Sequence, residues 1–547
     1  MVRFCFFTLS LASLLQVQAA ATAQPPFQYG KEPIYVPNEM PPVERTWHPT
    51  NELNDPGIKR GAPFEAGLIR VFNEDTNFSK EIAVFRLPDG AVRAWRSDSF
   101  SKEDLAIIRE MKKSEPVAPA DSRTWTTDLA VSDKIFLQGG QISTYETPHF
   151  VFIYGHDHAG SGNVVFTDPE FLKLAGDWFE YVWRYYTVDY HAPMPYEGET
   201  HPKRIVVKLY NTGIPGMPEG WATSAESMNL HPNAMFYGST VVPHEFCHVI
   251  QFYSKGFRDR ASVGAWWETH AETGAFNFAP TYDSDFPVMF RNLNKGCQWT
   301  DSRYSNWPIL MQLWEKQRTH DLVFGVWTRN YRGSHGESLE DPIQTTVRLG
   351  LANGALPKGW ESFNDEIGEL AARMVTMDFI NQGYLQDATS ELRRAAFSSL
   401  RRRDLDGDWY DSPSHALYPY GYDWIRLSPQ DGATDIKIKF QGQSTALNAE
   451  WRLTLVGVDD KERARYSPTV TAWGKTDAEV SISVHPHEKY VLAVAATPTT
   501  YQSLNWGQIP ENTYPYKVEA SGADWKAEKK KKEGTGIFTP PRPVGSP

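Results

Sequence analysis

Val241-Val242-Pro243-His244-Glu245-Phe246-Cys247-His248-Val249-Ile250-Gln251 contains the pattern His-Glu-x-x-His. On a helix, positions four apart lie one turn apart on the same face, so His244 and His248 can turn two ring nitrogens toward one ion. The flanks predict that helix: Thr240 as N-cap, Pro243 in the first turn where a missing N–H is tolerated, and Gly256 as the stop. Val242, Phe246, Val249, Ile250 and Tyr253 form one buried stripe, and both histidines and Gln251 fall off it. Taken alone, the motif also fits a core helix whose two histidines are merely hydrogen bonded.

A second run, Trp266-Trp267-Glu268-Thr269-His270-Ala271-Glu272, moves the balance toward a metal. A catalytic zinc site takes three protein ligands and keeps a fourth position for water. Glu268, on a second helix, is the candidate third ligand beside His244 and His248. Glu272 lies one turn further on, where it can accept the other ring N–H of a ligand histidine and fix its orientation. Trp266 and Trp267 are expected to keep that corner dry. An isolated Glu268–Glu272 pair would read as a solvated helix face.

With these two runs the chain resembles the gluzincin metallopeptidases, in which His-Glu-x-x-His is followed by a glutamate ligand on a later helix. Trp-Trp-Glu-Thr-His-Ala is similar to the Trp-x-x-Glu-Gly-x-Ala stretch of aminopeptidase-like gluzincins, and the pair of runs is closer still to a group of secreted, uncharacterised zincin-like proteins. Two departures stand out. Thr269 replaces the usual glycine, and one residue between the tryptophan and the glutamate is absent, both of which bear on how the second helix turns. The resemblance spans roughly residues 145 to 425.

The resemblance implies an α+β zincin-like domain, a twisted sheet over a helical lower half, with Zn2+ as cofactor. Zinc would lower the pKa of its water toward 7 and polarise the scissile carbonyl. Glu245 would be the general base, and Tyr304 or His270 the donor to the developing oxyanion, Tyr304 preferred because gluzincins often use a tyrosine downstream of the glutamate ligand. Zincins place an edge strand just before the zinc helix, and Gly220-Trp221-Ala222 are assigned that role, although an ordinary loop fits them equally well. The expected function is a secreted zinc peptidase of the endopeptidase type acting on a peptide or protein. The alternatives are a non-catalytic binding protein on the zincin scaffold and, less favoured, a carbohydrate-active hydrolase using two carboxylates.

Around this centre the rest of the chain falls into segments. Residues 1–23 read as a signal peptide: Arg3 supplies positive charge, Phe4 to Leu15 is too short to span a bilayer, and small residues follow. An exported, extracellular protein with no membrane span is expected. Residues 24–62 are rich in proline and read as an extended lead-in without its own core. Residues 63–140 read as a small α/β unit, 141–425 as the zincin-like domain, 430–522 as an alternating, all-β sandwich module, and 523–547 as a disordered basic tail. Asn77-Phe78-Ser79 is a glycosylation acceptor. Asp404 to Asp408 resembles a calcium loop whose glycine is misplaced, so a plain acidic turn is preferred. Cys247, offset from the metal face, reads as a small buried apolar residue, and spacing leaves open whether it pairs with Cys297.

At 547 residues the chain is too long for one core. A net charge of −12 argues against nucleic acid as a main partner. The 19 Trp, 25 Tyr and 29 Phe permit a stacking groove, and suit a well-packed extracellular enzyme equally well.

Overall fold

The computed structural model describes residues 43–50, 53, 58–59, 61–73, 81–88, 92–112, 123–159, 165–189, 192–217, 227–278, 286–317, 322–379, 382–402 and 408–525. Helices and sheets are segregated along the chain, as an α+β architecture requires. Among the described residues, no helix is long and apolar enough to cross a membrane.

The first unit is an antiparallel sheet, β1 (Val43–Trp47), β2 (Phe64–Asn73), β3 (Glu81–Arg86) and β4 (Val92–Arg96), in sequential order. Helix α1 (Lys102–Lys112) covers it, started by Ser101, whose Oγ accepts from the Asp104 N–H at 3.1 Å. The expected lead-in over 24–62 is corrected in its second half. Val43 to Trp47 pairs along the whole edge of β2, and Trp47, Leu53 and Ile58 are core residues beneath Phe85 and Phe100. The proline-rich composition misled because one tryptophan, fully buried with its Nε1 donating to the Ala66 carbonyl at 2.8 Å, is enough to anchor the strand.

Helix α2 (Val131–Gln138) leads into a second sheet, β5 (Ser143–Glu146), β6 (Phe150–Tyr154), β7 (Ile205–Leu209) and β8 (Ser227–Leu230). β5 pairs antiparallel with β6, and β6, β7 and β8 run parallel. All five residues of β6 are buried, which explains its unbroken apolar run. Helix α3 (Pro169–Arg184) starts at Asp168, which accepts from the Glu170 N–H at 2.9 Å, and packs Phe179 edge-on against Phe150 and Phe152.

The helical half follows: α4 (Val241–Ser254), α5 (Trp266–Phe278), α6 (Phe286–Arg291), α7 (Trp307–Gln317), α8 (Gly325–Arg329), α9 (Pro342–Asn353), α10 (Trp360–Arg373) and α11 (Gln382–Ala395). α10 ends at Arg373, whose buried guanidinium pairs with Glu315 at 2.7 Å and donates through Nε to the Asp378 carbonyl at 2.9 Å, which holds the chain as it leaves the helix. One continuous core joins the second sheet to these helices.

The C-terminal module is a sandwich. One sheet has the order β16 (Asp477–Ser483), β12 (Asp435–Gly442), β18 (Tyr516–Ser521), β10 (Tyr410–Asp411), β9 (Arg401–Arg402). The other has β14 (Ala464–Tyr466), β13 (Glu450–Val458), β17 (Lys489–Ala496), β11 (Tyr422–Pro429) and β19 (Ala523–Trp525), with β15 (Val470–Trp473) beside β13. The module therefore begins before residue 430 and includes β9 to β11. Trp424 explains why β11 reads as part of the preceding domain: its Nε1 donates to the Ala371 carbonyl of α10 at 2.7 Å, so its apolar face serves the helical core. Arg452 of β13 pairs with Asp365 of α10 at 2.8 Å, and Gly368 lets that helix approach, since a Cβ there would stand 2.4 Å from Arg452 Cβ.

Candidate metal centre

Two helices build the site. Four of the five residues of the predicted stripe on α4, Val242, Phe246, Val249 and Ile250, have no exposed surface, and the fifth, Tyr253, is half-buried. Phe246 meets Phe150 of β6 at 5.6 Å, which seats α4 under the sheet. Thr240 does not cap the helix through its side chain; Ser239 Oγ instead accepts from the Val241 N–H at 3.2 Å. Lys255, at φ 59°, takes the left-handed position expected of Gly256. Gly256 is needed for another reason: a Cβ there would lie 2.2 Å from the Trp327 carbonyl.

α5 is locked to α4 through Tyr186, whose hydroxyl donates to the Pro243 carbonyl at 2.9 Å. That hydroxyl sits where a Cβ on Gly274 would be, 2.0 Å away, so the helices meet only because residue 274 has no side chain.

This packing brings His244, His248 and Glu268 together, with one ligand atom from each lying within 4.8 Å of the others. Glu268 Oε2 stands 3.2 Å from His244 Nε2 and 3.1 Å from His248 Nε2. The other nitrogen of each ring is engaged. His244 Nδ1 lies 2.9 Å from Glu272 Oε1, and His248 Nδ1 lies 2.7 Å from Gln251 Oε1. Both acceptors place the proton on Nδ1, so a neutral ring presents a bare Nε2 lone pair to a carboxylate oxygen. Acceptor faces acceptor at two contacts. The arrangement calls for positive charge at one point, supplied by added protons or by a cation. The donor set of two imidazoles and a carboxylate is a zinc set, and donors about 2.1 Å from a tetrahedral ion stand roughly 3.4 Å apart, near the observed separations.

The protonation preferences follow the same charges. Burial opposes a charged His244, but Glu272, Glu268 and Glu245 outweigh it and hold the imidazole well above its ordinary value. Burial alone would raise Glu268, yet His244 and His248 hold its carboxyl well below the usual range.

Aromatic rings wall the cluster. Trp267 stacks on His248 at 5.4 Å with planes 10° apart, and Tyr304 lies over His244 at 6.2 Å. Trp266 belongs to the core instead. Burial and then Glu268 raise the Tyr304 phenol. Thr269 Oγ1 donates to the Arg303 carbonyl at 2.7 Å, so the residue that replaces glycine here ties α5 to the segment bearing Tyr304.

Glu245 is buried beside His244 on α4. His270, the other candidate oxyanion donor, is excluded from the site. It is fully buried against Phe324 and Trp327, accepts from Gln251 Nε2 at 3.3 Å, and burial pushes it down to about 3. One helical step from Thr269 takes its side chain to the far face of α5. Cys247 Sγ lies 3.4 Å from His270 Nδ1 on that same far side, its thiol pushed up to about 12 by burial. Cys247 and Cys297 are both free and buried.

Gly220, Trp221 and Ala222 lie outside the described residues, as do Asn77, the expected signal, Asp404 to Gly407 and residues 526–547 of the expected tail, whose first three residues, Ala523–Trp525, instead form β19 by pairing with β11. β8 stands immediately before α4 and is the outer strand of its sheet among the described residues. Two participants had no assigned role in the sequence reading. Gln251 orients His248, and its only signal was falling off the apolar stripe. Tyr210, the residue after β7, lies in the field of Glu245: burial and then that carboxylate push its phenol up to about 12.

A family model described as "Family of unknown function (DUF6055)" matches residues 146–527. No curated protein matches the chain. Among solved structures, the N-terminal CBM22-1–GH10 modules of Clostridium thermocellum endo-1,4-beta-D-xylanase 10B, complexed with xylohexaose, are similar at 8% identity and a TM-score of 0.15. That similarity covers 23% of this chain and 24% of the xylanase chain, about a quarter of its length, and carries no argument.

Proposed function

We propose that this chain, which belongs to the DUF6055 family, is a zinc-dependent peptidase with a zincin-like catalytic domain. The observation that carries the reading is Glu268 Oε2 against two imidazole Nε2 atoms whose partner nitrogens are already engaged by Glu272 and Gln251. His244, His248 and Glu268 would hold the ion. Zinc in such a set supplies Lewis acidity, activating water and polarising a carbonyl.

The chain's own groups account for the rest. Glu245 takes a proton from the attacking water and returns it to the leaving amine, so that water's oxygen ends on the acyl carbon as the C–N bond breaks. Tyr304, over His244, donates its O–H to the carbonyl oxygen as charge develops there. Glu272 and Gln251 hold the imidazoles in one tautomer. β8, an outer strand next to α4, offers an edge along which an extended peptide can pair, which favours a peptide over other amide substrates. The protein belongs outside the cell in this reading.

The test is metal analysis of the purified chain followed by digestion of an unbiased peptide library. Wild type should bind zinc at one equivalent and cleave peptides, and Glu245→Gln should keep the zinc and lose cleavage by about a hundredfold or more. Activity surviving in zinc-loaded Glu245→Gln removes the general-base assignment. Cleavage that survives chelation removes the metal.

A further inference from the structure

Arg303 holds its guanidinium between two aromatic rings. Its Cζ lies 4.8 Å from the Tyr304 ring centre and 5.8 Å from that of Trp506, and Nη1 donates to the Thr300 carbonyl at 3.1 Å. Among the described residues it forms no ion pair. Acids are not scarce in a chain with 67 Asp and Glu against 55 Lys and Arg, and other arginines take them up, as Arg373 does with Glu315 and Arg348 with Glu340. The acid nearest in sequence is taken up: Asp301 pairs with Lys295 at 3.2 Å.

Trp506 belongs to the loop between β17 and β18 of the sandwich and is 45% exposed, yet its backbone is fixed. Its N–H donates to the Ala261 carbonyl at 2.7 Å, the Gly507 N–H donates to Thr300 Oγ1 at 2.9 Å, and Gln298 Nε2 donates to the Gln502 carbonyl. The sandwich therefore reaches the rim of the candidate metal centre, along the row Trp506, Arg303, Tyr304, His244. Arg260, beside Ala261, lies 6.0 Å over Trp267, the ring that covers His248, and likewise pairs with no acid among the described residues. A cavity of about 710 Å³ opens next to it, lined by Arg258, Arg260 and Lys255 as well as Glu197 and Glu199.

A guanidinium stacked on rings keeps its N–H edge available, and that edge matches a carboxylate in a two-point fork. We propose that Arg303, presented by Tyr304 and by Trp506 of the sandwich loop, binds a carboxylate of the substrate, so that this site selects anionic peptides. The inference rests on the peptidase reading for its substrate class. The carboxylate is an acidic side chain or the peptide's C-terminus.

The test uses the full chain with Glu245→Gln, so that binding is read without turnover. Labelled decapeptides, identical but for a central Glu or Gln and carrying a free or amidated C-terminus, are titrated by fluorescence anisotropy. One of the two neutralisations should weaken binding about tenfold, which identifies the source of the carboxylate. Adding Arg303→Gln should erase that preference, Arg303→Lys should restore part of it, and Trp506→Ala should weaken every peptide. Thermal melting checks each fold, and Arg303→Lys serves if Arg303→Gln does not fold. Equal binding of charged and neutral peptides, or a preference unchanged in the Arg303 variants, overturns the proposal. The same peptides given to protein with Glu245 intact separate the two readings. Charge preference without cleavage would leave this proposal standing and remove the peptidase, and cleavage without charge preference would do the reverse.

Discussion

The hydroxyl of Thr269 donates to the carbonyl of Arg303 at 2.7 Å, joining the residue after a candidate metal ligand to the residue before the candidate oxyanion donor. Glycine at position 269 could not make that bond. The departure from the gluzincin pattern thus has a physical use: it couples the position of Glu268 to that of Tyr304. Replacing Thr269 with Val keeps the shape and removes the donor, leaving a buried carbonyl without this partner. The expected cost is about 1 kcal/mol of stability. Zinc content should stay unchanged while kcat falls more than KM rises, which melting curves and steady-state kinetics together would read.

Gln251 should govern metal affinity without touching the metal. Its Oε1 accepts from His248 Nδ1 at 2.7 Å while its Nε2 donates to the Trp267 carbonyl at 2.9 Å. Gln251→Leu removes both restraints, and zinc affinity is expected to drop about 10- to 100-fold in competition with a chelating dye. An unchanged affinity would show that packing by Trp267 alone orients the ring.

Gly274→Ala should separate the two helices. The new methyl would stand 2.0 Å from the Tyr186 hydroxyl, and the Tyr186 ring cannot retreat from Phe246 and Phe324, at 5.8 and 5.6 Å. Overpacking of this kind costs about 1–3 kcal/mol. Tyr186→Phe removes the clashing oxygen, so the double variant should be more stable than the sum of the two single losses predicts. Strict additivity in urea melts would contradict this packing.

Stability should depend on pH through the sandwich. His415 Nε2 lies 2.7 Å from the buried carboxylate of Asp423, and that bond raises the imidazole above its ordinary value against the opposing effect of burial. A raised folded pKa means the pair stabilises fully below the unfolded value of about 6.5, and the contribution is lost as pH rises through the folded pKa. Wild type should therefore lose melting temperature relative to His415→Gln as pH rises above about 6.5. Parallel curves for the two proteins would remove His415 as the source.

The sequence by itself determined whatever depends on neighbours within one turn or one strand. The stripe Val242, Phe246, Val249, Ile250 set α4 and left His244 and His248 together on another face, and the four-residue step from Glu268 put Glu272 within reach of the same cluster. Alternation likewise set β12, β16 and β18, because period two and period 3.6 are local properties of the backbone, whereas β13 and β17 are buried along nearly their whole length. Tertiary structure decided the rest. Whether Glu268 meets both imidazoles depends on Tyr186 and Gly274, which lie 88 positions apart in a chain that records no sign of their contact. His270 fell away from the site, Trp47 and Trp424 joined cores their surroundings did not announce, and Trp506 reached Arg303 from another domain. Each of these is a distance between residues remote in sequence, set by how side chains interlock once the layers close, and no pattern along the chain carries that information.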